Sequence, residues 1–93
     1  MNGFFASVAL EFLGTFLFLS TILISGNPVV IGVALVILIY LGIDVSGGHY
    51  NPAVTLMTLY NKEIATSTAG AYILSQISGG ILAATIYNFM KTR

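Results

Sequence analysis

Three long apolar runs, broken at only a few places, dominate this chain. From about Phe4 to Ile24 every turn is apolar except at Glu11, with Gly14 and Thr15 one turn beyond. Ser25-Gly26-Asn27-Pro28 ends the run: Gly and Asn accept left-handed backbone, and Pro suits the first position of a new helix. So short a link predicts that the first and second helices are antiparallel neighbours. The second run, Pro28 to about Val45, is rich in Val, Ile and Leu, as a buried strand would be. Its length and lack of internal turn signals predict a helix. The third run, about Ile64 to Met90, ends in Lys91-Thr92-Arg93. Its pairs Ser75/Gly79, Gly79/Ala83 and Gly80/Ala84 are small residues four apart, a spacing that lets helices approach closely in lipid.

Between the second and third runs the pattern changes. Asn51-Pro52 is a helix start, with Asn as N-cap and Pro at the first helical position. Pro52 to Tyr60 is nine residues, roughly 13 Å of helix at about 1.5 Å per residue. That is about half of a hydrocarbon core of roughly 30 Å. Apolar and preceded by Gly47-Gly48, the segment is predicted to be a re-entrant half-helix, after which Asn61-Lys62-Glu63 returns to water. Spans at about 4–24, 28–45 and 64–90, with the half-helix at 52–60, make residues 1–93 one membrane domain without repeat or linker.

Composition narrows the class. Of 93 residues 57% are hydrophobic and 6% charged, with mean hydropathy +0.98. A soluble domain carries about a quarter charged residues, and disorder needs low hydrophobicity with high net charge, so both are excluded. Three Lys/Arg against three Asp/Glu give no field to attract nucleic acid. The absence of cysteine removes disulfides, thiolate metal sites and thiol nucleophiles. His49 is one histidine without companions, so no metal site is expected. The start Met1-Asn2-Gly3-Phe4-Phe5 lacks the basic region of a secretory signal and the apolar run outlasts one, so the first segment is expected to be a retained span. Tyr40, Tyr60 and Tyr87 near span ends suit an interfacial aromatic belt. The expected class is an all-α, multi-pass integral membrane protein in contact with lipid. No catalytic constellation is present, and neither enzyme activity nor a cofactor is expected.

Three motifs carry a resemblance. Gly47-Gly48-His49-Tyr50-Asn51-Pro52-Ala53-Val54-Thr55 resembles the Gly-x-His-x-Asn-Pro-Ala-Val-Thr signature of the aquaporin, or major intrinsic protein, family. Glu11-Phe12-Leu13-Gly14-Thr15 is similar to its first-helix Glu-x-x-Gly-Thr, and Tyr72 to Gly80 to its third-helix Tyr-x-x-(Ala)-Gln-x-x-Gly segment. Family members carry two such halves in inverted orientation. This chain carries one Asn-Pro-Ala and matches the first half, since Val54 stands where second halves carry Arg. The resemblance implies half of an aquaporin-like inverted-repeat fold and a passive channel for water or small neutral solutes.

Physics explains why two halves are needed. A half-helix ending at mid-membrane leaves its first N–H groups unpaired and points the positive end of its dipole into the bilayer centre. Irregular backbone survives at that depth only against protein or a water-filled cavity. Two half-helices meeting head-on solve both problems, with Asn51 as the pore donor and Pro52 and Ala53 setting the helix start. If the N-terminus and re-entrant loop face the cytoplasm, as the resemblance implies, Lys62 and the terminal amine lie inside and Lys91 and Arg93 outside. No excess of cytoplasmic Lys/Arg then fixes one orientation. The expectation is insertion both ways up and an antiparallel homodimer, with a tetramer of such dimers conceivable from the family.

In that dimer, Ile31 takes the second-helix filter position, twenty residues before Asn51. Ile39, Gly48 and Val54 of the partner copy form the rest of an apolar filter without Arg. Alternatives stay open at this point. Asn51-Pro52 also reads as a surface-loop cap. Glu11, by resemblance a support for the loop backbone, also reads as the switch of a small proton-coupled dual-topology transporter. His49 either braces the loop or lines the vestibule, and Gln76 is a hydrogen-bonding group between helices or a pore contact. The glycines of the third span read as packing residues. A separately encoded second half, or a non-conducting fragment, is a further rival.

Overall fold

The computed structural model describes residues 3–91 as four helices: α1 (Gly3–Ser25), α2 (Pro28–Gly42), α3 (Pro52–Tyr60) and α4 (Thr66–Lys91). Local chemistry sets their ends. Asn27 Oδ1 accepts from the N–H of Val29 (2.9 Å) and Val30 (3.2 Å) ahead of Pro28. Asn51 Oδ1 does the same for Ala53 N–H (2.7 Å) ahead of Pro52. Gly26, at φ +64°, turns the chain out of α1 as its N–H closes on Ile22 O.

α1 and α4 run parallel and form the centre. Their buried positions are Ser7, Glu11, Gly14 and Thr15 on α1 and Ala69, Tyr72, Gln76, Gly79 and Ala83 on α4. The three- and four-residue spacing is that of a packed helical seam. Gly79 lets the backbones touch, for a Cβ there would stand 2.6 Å from Phe12 O. A Cβ on Gly80 would meet Leu19 at 2.8 Å. α2 packs against α1, and α3 against α4.

The interior is polar and the exterior apolar. Ser7, Glu11, Thr15, Ser46, Thr55 and Gln76 are buried, whereas Ile24, Val29, Leu41 and Leu74 are exposed. In water this would be upside down; in lipid it is the stable arrangement, because helices there associate through small and hydrogen-bonding residues. α1 and α4 are each long and apolar enough to cross a membrane. α2 is shorter, 15 residues, or about 22 Å of helix.

Two boundaries differ from the sequence expectation. α2 stops at Gly42, not Val45, because Gly42 O collects the N–H groups of Val45 (3.0 Å), Ser46 (2.9 Å) and Gly47 (3.2 Å), winding the chain into a turn. α4 starts at Thr66 instead of Ile64. Asn61, Lys62 and Glu63 close instead onto the last carbonyls of α3, with Lys62 at φ +60°. The terminal amine and Arg93, used in the charge comparison, lie outside the described residues.

The level of α3 matters most. The Tyr50 ring fills the notch over Gly14, the midpoint of α1, and Pro52 shares a hollow with Thr15. α3 therefore begins halfway along α1 and runs back to the end at which α4 begins.

Candidate functional site

Residues 43–51 double back from the end of α2 to the start of α3. Gly47 (φ +96°) and Gly48 (φ +63°) supply left-handed backbone without penalty, and Gly48 stands against the Ile39 backbone. Tyr50 also has positive φ (+53°), which costs a side-chain-bearing residue about 1–2 kcal/mol. It is held there at both ends. Its N–H donates to Glu11 Oε1 (2.7 Å) and its hydroxyl to Leu38 O (2.7 Å). The ring occupies the space left by Gly14 and Gly42.

Glu11 organises the loop. Fully buried at 0% exposure, its carboxylate accepts from Ser46 Oγ (2.7 Å), His49 N (3.0 Å), Tyr50 N (2.7 Å) and Gln76 Nε2 (2.9 Å). Ser46 Oγ accepts in turn from Gly48 N (3.1 Å), and Ser46 O from the Tyr72 hydroxyl (2.8 Å). Gln76 Nε2 also donates to Thr55 Oγ1 (2.9 Å), which lies 2.8 Å from His49 Nδ1. Tyr72 packs edge-on to the same imidazole at 5.2 Å.

Together these bonds present the start of α3. Asn51 is exposed; its Oδ1 caps Ala53, so its Nδ2 remains a donor. Val54, at the third position of α3, has no carbonyl of its own helix to receive its N–H. A cleft of about 200 Å³ opens beside them, with Phe18, Leu35 and Ile39 as apolar walls and Gly48, His49, Asn51 and Val54 on the loop side. A narrow apolar cleft with an amide donor and a helix N-terminus suits a small, polar, uncharged guest and disfavours a cation. No group of three or more His, Asp or Glu among the described residues is placed to hold a metal.

Of the residues singled out from sequence, Gly48, His49, Asn51, Val54 and Ile39 meet in this cleft. Pro52 and Gln76 border a neighbouring hollow, and Ala53 is exposed at the tip. Ile31 is half-buried two turns before Ile39 and does not border the cleft. Glu11 and Gln76 sit behind the loop. Sequence reasoning passed over Ser46, Tyr50, Thr55 and Tyr72 as individual residues. Their signals were hydroxyls in an apolar stretch and, for Tyr50, two glycines spaced to admit a ring.

The chain is 42% identical over 91 residues to glycerol uptake facilitator protein-like 6 of Lactiplantibacillus plantarum, covering 87% of this chain and 42% of that protein. It is 42% identical over 64 residues to aquaporin-B of Dictyostelium discoideum, covering 64% of this chain and 22% of that protein. With mouse aquaporin-4 the identity is 34% over 102 residues, covering 91% and 31%. The chain thus spans about two fifths or less of the length of these relatives. No solved structure gives a significant match. The profile of the Major intrinsic protein family matches residues 2–93. This chain, an integral membrane protein with a polar seam and an apolar surface, belongs to the major intrinsic protein family.

Proposed function

We propose that the chain forms one half of a passive channel for water and small neutral solutes, completed by an inverted second copy. α1, α2 with its following turn, and α4 are the three spans of a single domain, and α3 is a re-entrant half-helix. Asn51 is the pore donor, Pro52 and Ala53 shape the tip, and Gly48, His49, Val54, Ile31 and Ile39 line the path or its filter. Glu11 and Gln76 support the loop. One observation carries the reading: α3 begins level with the midpoint of α1, with Asn51 and Val54 of its first turn bordering an apolar-walled cleft. At that depth unpaired donors need water or protein. An aqueous thread supplies the first and an inverted half-helix the second.

The proton-coupled reading receives no support from Glu11. A coupling carboxylate must exchange with water, and this one is fully buried under four donors.

Light scattering from proteoliposomes holding only this chain tests the channel. Osmotic shrinkage is expected to exceed that of empty liposomes and to ignore a pH gradient. Asn51→Asp, which removes the amide donor and places a negative charge at the tip, is expected to slow it about tenfold, the equivalent of one hydrogen bond of about 1.4 kcal/mol. Rates equal to empty liposomes would sink the proposal. Reporters fused to the C-terminus are expected on both sides of the membrane; a one-sided result points to a different second half.

The filter yields another expectation. With Val54 half-buried at the cleft and no Lys or Arg among the described residues that line it, exclusion of ions rests on the half-helix ends alone. Val54→Arg is expected to lower proton or cation conductance across planar bilayers. A parent without measurable conductance contradicts this.

A further inference from the structure

The cleft beside Asn51 opens between two elements that do not pack on each other: α2 rests on α1, and α3 rests on α4. Its width is the separation of Leu35 and Ile39, on α2, from Gly48, Asn51 and Val54 on the other side. Whatever fixes that separation fixes the size of guest the cleft admits.

Two contacts bear on it. Gly48 stands against the Ile39 backbone; this stops α2 from approaching the loop but does little to keep it from receding. The second contact supplies the restraint. Among the described residues one side-chain hydrogen bond crosses from α2 to residues 48–60, and it is the Tyr50 hydroxyl donating to Leu38 O at 2.7 Å. Leu38 precedes Ile39 of the cleft wall, and Tyr50 precedes Asn51. The bond therefore joins the immediate neighbours of the two residues whose spacing matters. A carbonyl within a helix has two lone pairs, so Leu38 O can take the phenol beside its helical partner.

The surroundings are cut to fit this hydroxyl. Any Cβ on Gly42 of α2 would collide with it and stand 3.1 Å from the ring carbon Cζ. A Cβ on Gly14 of α1 would stand 2.8 Å from the same carbon. Tyr50 is 2% exposed, wedged between the two helices with its polar end on α2.

Resting on the channel reading above, we infer that Tyr50 sets the size limit for the conducted solute, its hydroxyl holding α2 at a fixed distance from the Asn51 loop. Tyr50 is a positioning residue, acting through Leu35 and Ile39. When the bond is lost α2 recedes, the cleft widens, and a solute larger than water gains more than water does.

The chain has no cysteine, so spin labels at Tyr40→Cys on α2 and Tyr60→Cys on α3, both exposed positions, report the distance between these helices when labelled chains are diluted with unlabelled ones. Tyr50→Phe deletes the hydroxyl and keeps the ring. It is expected to move that distance to longer values and, in proteoliposomes, to raise the ratio of glycerol to water permeability about three- to tenfold, as loss of one hydrogen bond implies. Gly42→Ala breaks the same bond from the α2 side and should shift both readings in the same direction. Added to Tyr50→Phe it should change little further, because the bond is already gone. A general weakening of the fold lowers both permeabilities together, so the ratio is the reading that reports the bore. Parental distance and ratio in both single variants, or shifts that add in the double variant, overturn the role of Tyr50 and leave the channel standing. A parent no faster than empty liposomes overturns the channel, and the size limit with it.

Discussion

Glu11→Ala is expected to collapse the loop that presents Asn51 and to cost most of the chain's stability. The substitution strands four donors at once: two backbone N–H groups, the Ser46 hydroxyl and the Gln76 amide. An unpaired buried donor costs about 1–3 kcal/mol, so the loss is at least about 4 kcal/mol against a usual total of about 5–15 kcal/mol. The damage is directed. Tyr50 is held at positive φ by its bond to Glu11, and without it the backbone relaxes towards negative φ. The ring then leaves the Gly14 notch and carries the neighbouring Asn51 out of position. Glu11→Gln should fare little better. One of its two oxygens becomes an NH2, and whichever it is faces a backbone N–H, of His49 or of Tyr50, so at least one bond is replaced by a donor–donor contact. Thermal unfolding in detergent and amide hydrogen exchange at His49 and Tyr50 check this, with both amides losing protection in either variant. Glu63→Gln, at an exposed position, should change neither measurement. Parental melting and protection in Glu11→Ala would show that the carboxylate does not hold the loop.

Physics read from the sequence reached as far as local chemistry extends. The Asn-Pro steps at 27–28 and 51–52 announce helix starts because cap and proline act within three residues, and both helices begin there. Glu11 in an apolar run demands donors, since a bare charge in lipid is costly. Which donors cannot be read locally, for Gln76 is 65 residues away and Ser46 becomes available only after the turn on Gly42 O. That turn also hid the end of α2: nothing between Gly42 and Ser46 breaks a helix by type. Spacing placed Ile31 in a filter by resemblance, yet the cleft of this half is walled by Phe18 and Leu35, which no motif marked. The small-residue pairs in α4 identified a close-packed face, but not that its tightest point lies against the Phe12 carbonyl.

At that point a single methyl group should have an effect of opposite sign from the same methyl elsewhere. Gly32 and Gly70 are helical glycines with nothing within 4 Å of an added Cβ. Converting either to Ala removes a helix-weakening residue and should stabilise by up to about 1 kcal/mol. Gly79→Ala gains the same propensity but puts its Cβ 2.6 Å from Phe12 O and 3.1 Å from Phe16 N, where ordinary contact begins at 3.4 Å. Both neighbours are backbone, so no side chain can swing aside and α1 must move away from α4. Overpacking of this kind costs about 1–3 kcal/mol. Here it also reaches the polar core: Glu11 and Gln76, each beside a residue or turn in the collision, are joined at 2.9 Å, and separating the helices stretches that bond. Gly79→Leu should abolish folded protein altogether. Unfolding in mixed micelles of rising SDS fraction orders the variants, with Gly70→Ala and Gly32→Ala at or above the parent and Gly79→Ala well below it. If Gly79→Ala instead unfolds with Gly70→Ala, then α1 and α4 do not meet backbone to backbone, and the carboxylate that braces the loop must be positioned in some other way.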